Sequence, residues 1–171
     1  ALSSDDWRLR LAIAAGVAAV AALLSAWLTP RGPVTTPQAL ISMAAALLVG
    51  ALCGLAMLSR WSVLLAPAVY VAVFELTRRG AAGPTVDGIH LGSTYGTIAF
   101  VVGRLAHGLL VLAPMAVGAA YGIGLAGRLR PGAAPAIGPV GWALTGLATL
   151  ALAGVAIAIA RPATTAPIVG A

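Results

Sequence analysis

The chain has 171 residues, of which 61% are hydrophobic and 8% charged, and its formal net charge is +6. A soluble globular domain carries about 25% charged residues, so a chain this poor in charge cannot cover a water-facing surface. Its long uncharged runs define an integral membrane protein. All ten basic residues are Arg; they stand mostly singly or in pairs at the ends of apolar runs, which argues against nucleic-acid binding.

Residues 1–10 are polar, and Ser4-Asp5-Asp6 suits the start of the helix that follows. Leu11 to Leu28 is an uncharged run of eighteen residues and is predicted as the first span. A signal peptide with Arg8 and Arg10 as its basic region is the competing reading. The run is long for one, and its end lacks a clean A-x-A site. TPRGPVTTPQ (29–38) is a Pro/Gly loop. The second span covers 39–58, ~30 Å of helix. Cys53 falls inside it, with no partner for a disulfide or a metal-ligand spacing, and reads as a small packing residue. Ser59-Arg60 is a very short turn, which makes spans two and three antiparallel neighbours.

The third span, 61–76, is only ~24 Å long; Arg60, Arg78 and Arg79 make up the difference by snorkelling outward. Pro67 is a site for a kink, and Trp61 suits an interfacial belt. Residues 97–127 are apolar except for Arg104 and His107 and would measure ~46 Å as one straight helix, too long for one span. The expectation is therefore a short interfacial helix over 94–106 and a fourth span over 108–127, with Pro114 inside it. One unbroken, strongly tilted helix is the alternative. RLRPGAAPAIG (128–138) is a loop, and 139–160 is the fifth span. RPATTAPIVGA (161–171) reads as an exit linker. The fold class is thus all-α: a transmembrane helical domain over 1–160, with about five spans plus the interfacial helix. Gly50-x-x-x-Gly54 and Gly118-x-x-x-Gly122 each place two glycines on one helix face, as packing faces do. If the N-terminus is cytoplasmic, that side holds Arg8, Arg10, Arg60, Arg128 and Arg130. The far side then holds Arg31, Arg78, Arg79 and Arg161. The bias is small and favours a cytoplasmic N-terminus and an external C-terminus. Lys and Asn are absent, the mark of a high-GC bacterial genome.

Few residues are equipped for chemistry. Glu75 is the only carboxylate inside an apolar run, and an ionisable group within a span is a functional candidate. Its structural reading is an intrahelical pair with Arg79, in the favourable order. GPTVDGIHLGSTYG (83–96) is a polar island. In it, Asp87 either orients the His90 ring for proton transfer or metal binding, or both residues solvate a loop. A metal set would require His107 to join, so no metal or cofactor is assigned. Arg104 and His107 share a polar stripe with Thr94 and Thr97 at helical spacing, which reads as lipid-headgroup contact. Ser93 is no convincing nucleophile, because GSTYG is not G-x-S-x-G and no strand precedes it.

Residues 74–128, sharpest at PTVDGIHLGSTYG, together with TPRGPVTT and RPATTAPIVGA, form a pattern across most of the chain. It resembles the N-terminal multi-pass membrane region of actinobacterial membrane-tethered α/β-hydrolases of the proline-iminopeptidase type. The resemblance implies a hydrolase domain after the exit linker, with its catalytic triad and oxyanion hole beyond Ala171; no catalytic residue maps onto this chain. The expected function is a membrane anchor, with a regulatory role, for such an enzyme, and the expected partners are the bilayer and that domain. The alternative is a small transport or ligand-binding membrane protein, with Glu75, Asp87, His90, Arg104 and His107 converging around 83–107. An intramembrane enzyme using the same residues is a third reading.

Overall fold

The computed structural model describes residues 4–28, 35–78, 92–129 and 137–161. They form α1 (Ser4–Leu28), α2 (Thr36–Met57), α3 (Ser62–Arg78), α4 (Thr94–His107), a π-helical turn (Gly108–Leu112), α5 (Ala113–Leu129) and α6 (Pro139–Ala160). No strand occurs among the described residues, and the all-α class holds. Asp6–Leu28, Thr36–Met57, Thr94–Leu129 and Pro139–Ala160 are each long and apolar enough to cross a membrane. α3 has 17 residues, rises ~26 Å and stays short of a ~30 Å hydrocarbon core. It belongs to the bundle through its packing on α1, α2 and α5.

The distribution of side chains is inverted relative to a water-soluble bundle. Ala14, Ala18 and Ala22, one turn apart on α1, are fully buried with Cys53, Ala66 and Met115. Leu48 and Leu150 are 63% and 73% exposed. Lipid tails are as apolar as Leu, so burying large side chains drives no association there; close backbone approach between small residues does. Cys53 fills one such small position and also donates its S–H to the Ala14 carbonyl at 3.3 Å.

The two Gly-x-x-x-Gly faces pack on each other. A Cβ at Gly50 would overlap the Met115 carbonyl, and one at Gly54 the Ala119 carbonyl. Reciprocally, one at Gly118 would overlap the Leu47 carbonyl, and one at Gly122 that of Ala51. Contacts advance in step along both helices, so α2 and α5 run parallel, and theirs is the most extensive helix contact in the bundle. α1 is antiparallel to α2: Ala14 in its first half meets Cys53 near the end of α2, while Ser25 near its end bonds Tyr70 in the middle of α3, further from the α2–α3 turn. α6 is antiparallel to α5: Gly124 abuts the Trp142 ring, while Val117 packs with Leu152.

These registers bring the starts of α1 and α6 and the ends of α2 and α5 to one end of the bundle. Arg8, Arg10, Arg60 and Arg128 all lie at that end; Arg78 and Arg161, closing α3 and α6, lie at the other. The turn between α2 and α3 is as short as expected. Leu58 closes α2 in the left-handed region (φ 53°), its N–H donating to Gly54 O at 3.1 Å. Ser62, fully buried, returns its hydroxyl to Ser59 O at 2.8 Å.

The expected break near residue 107 is a π-helical turn instead. Helical structure runs from Thr94 to Leu129, and the boundary between α4 and the fourth span falls at His107/Gly108. Pro114, fully buried just beyond the wide turn, explains it. In a regular helix its ring would strike the Leu110 carbonyl; widening the preceding turn moves that carbonyl aside. α4, fourteen residues and ~21 Å long, makes no substantial contact with α2 among the described residues.

Candidate functional site

Of the sequence-predicted polar residues, only Glu75 has its side chain within the described set. Glu75 is half-buried near the end of α3. One turn away, the Arg78 guanidinium lies over the Phe74 ring, 5.4 Å from its centroid, a cation–π contact. Phe74 in turn stacks on Tyr70 at 5.8 Å. Arg79, the expected partner of Glu75, lies outside the described residues, as do Asp87 and His90. Arg104 and His107 belong to α4, and their side chains are outside the described set. Among the described residues, α4 makes its one substantial helix contact with the π turn. No group of three or more His, Cys, Asp or Glu among the described residues is placed to hold a metal ion.

Ser93 has a definite role. Its hydroxyl accepts the Gly96 N–H at 3.1 Å, and its carbonyl accepts the Thr97 hydroxyl at 3.1 Å. Ser93 is thus the N-cap of α4, and the end of the polar island starts a helix. A Ser immediately before an apolar periodic run was the available signal.

The described structure holds a different concavity, which sequence reasoning missed. α3 and α6 both pack on α5 but make no substantial contact with each other. The gap between them is a lateral groove of about 580 Å³, at the arginine-rich end. Ala116 and Ala120 form its floor, Val63 and Leu64 one wall, Leu144 and Ala148 the other. Arg60 and Trp61, both exposed, stand at its mouth. Thr145 lines it too, but its hydroxyl donates to Gly141 O at 2.8 Å and is satisfied within α6. The Tyr121 hydroxyl meets Thr149 Oγ1 at 3.0 Å, and Trp142 packs on Tyr121 at 6.0 Å, tying α6 to α5 beside the groove. Alanines and leucines in apolar runs carry no signal of a cleft, which arises only from the spacing of three helices.

No protein-family model, curated protein or solved structure matches the chain.

Proposed function

We propose that this chain is a multi-pass bacterial plasma-membrane domain that anchors, and helps regulate, an α/β-hydrolase, with five spans contributed by α1, α2, α3, α5 with its π turn, and α6. The membrane part rests on one observation: small residues inside and large apolar residues outside a bundle held by reciprocal glycine contacts. The hydrolase part rests on the resemblance of residues 74–128 and of the exit linker to membrane-tethered hydrolases. In this reading the N-terminus is cytoplasmic and the C-terminus external, with the arginine-rich end inside.

The test uses the complete open reading frame expressed in an actinobacterial host. Peptidase or esterase activity that sediments with membranes and withstands an alkaline carbonate wash is the expected result. A stop codon directly after Ala171, with no hydrolase encoded alongside, would remove the anchoring role and leave a membrane protein of another kind.

A further inference from the structure

We propose that the groove between α3 and α6 is a binding site for one acyl chain of an anionic phospholipid, with Arg60 and Trp61 at the headgroup. The inference is independent of the hydrolase association. The groove runs along α6 from Gly138 to Ala148, ~15 Å of helix, which is half of a ~30 Å hydrocarbon core. Its depth is therefore that of one leaflet, from the interface to the midplane. Its volume falls within the ~300–1,000 Å³ of small-molecule sites, and its lining is aliphatic. The one hydroxyl in it, that of Thr145, already donates within its own helix, so the interior has no group to hold a polar solute or ion. A hydrocarbon chain is the occupant this chemistry accepts.

The mouth selects the headgroup. Arg60 is exposed there, and the Glu75 carboxylate of the same chain segment lies at the opposite end of α3. Arg8, Arg10 and Arg128 share this end with Asp5 and Asp6; with Arg60 the cations outnumber the carboxylates, so the local field favours negative charge. Trp61 beside Arg60 is at the depth where indole rings meet headgroups.

The experiment compares vesicles of phosphatidylcholine containing a minor fraction of dibrominated phosphatidylglycerol with vesicles containing the same fraction of dibrominated phosphatidylcholine. Bromine quenches tryptophan at short range, and subtracting the signal of Trp61→Phe isolates Trp61. Expected is a preference of about five-fold for the brominated anionic lipid, the fold-change of one basic contact at a membrane surface. Arg60→Gln should abolish the preference. Ala116→Leu, filling the floor, should abolish it while circular dichroism and elution volume stay unchanged. Equal quenching by the two lipids in the native protein would overturn the proposal. So would a preference that survives Arg60→Gln, or a groove closed to both lipids by a second copy of the chain. Arg60 is exposed, so its variant decides the matter even if Ala116→Leu does not fold.

Discussion

At the scale of single residues, a glycine matters most here where another backbone occupies the space of its missing side chain. Gly50, Gly54, Gly118 and Gly122 each face a carbonyl across the α2–α5 contact, whereas Gly16 and Gly154 face open space. Gly50→Ala or Gly118→Ala should cost about 1–3 kcal/mol through overpacking. Gly16→Ala and Gly154→Ala should be neutral or stabilising by up to ~1 kcal/mol. Unfolding in mixed micelles of increasing dodecyl sulfate content measures both sets; equal losses in both would contradict the packing account. The Tyr121–Thr149 bond calls for a smaller number. Thr149 Oγ1 donates to Thr145 O at 2.7 Å, so the Tyr121 hydroxyl is the donor to Thr149. Tyr121→Phe leaves Thr149 satisfied and keeps the ring on Trp142. It should cost about 0.6 kcal/mol, the average for an interhelical bond in a membrane, in the same titration.

At the scale of elements, the π turn sets where α4 points. Removing the proline should let the turn relax to α geometry, which deletes about one residue of bulge and rotates α4 by ~100° about its axis. Spin labels at Ile98→Cys on α4 and Trp27→Cys on α1, both exposed, report this by pulsed electron resonance, with Cys53 buried and out of reach. In Pro114→Ala the mean distance should shift by roughly 5 Å, the radius of a helix with its side chains; an unchanged distance would show that Pro114 does not cause the bulge. The helices themselves were legible in the sequence, because apolar runs end at Pro, Gly and Arg, and lipid solvent imposes a minimum length on each. The end of α4 at residue 107 was found by length alone. Its continuation as a π turn was not, since a one-residue phase shift is hidden in a run that is apolar on nearly every face, and only Pro114 hinted at it. The polar cluster drew notice because its residues are rare in this chain. Rarity says nothing about convergence, and of that cluster only the Glu75 side chain lies within the described set. The groove stayed invisible for the opposite reason: its walls are the commonest residues in the sequence.

At the scale of the whole molecule, the registers convert a weak statistical bias into a polar body. Counting along the sequence set five Arg against four for an assumed topology. Three independent contacts, Cys53 with Ala14, Gly54 with Ala119 and Trp142 with Gly124, place Arg8, Arg10, Arg60 and Arg128 at one end of one bundle. These cations must lie on the same face of the membrane whatever that face is. The end of α6 lies at the other end of the bundle from the start of α1, and in the proposed topology the four-Arg end is the cytoplasmic one. Ser59→Cys in the α2–α3 turn and Gly92→Cys before α4 lie at opposite ends of the bundle, the native Cys53 being buried. In intact cells a membrane-impermeant maleimide should label Gly92→Cys and spare Ser59→Cys, and permeabilising the cells should expose Ser59→Cys as well. Labelling of Ser59→Cys alone in intact cells would invert the molecule. The lipid groove would then open to the outer leaflet, and the end of α6 would face the cytoplasm.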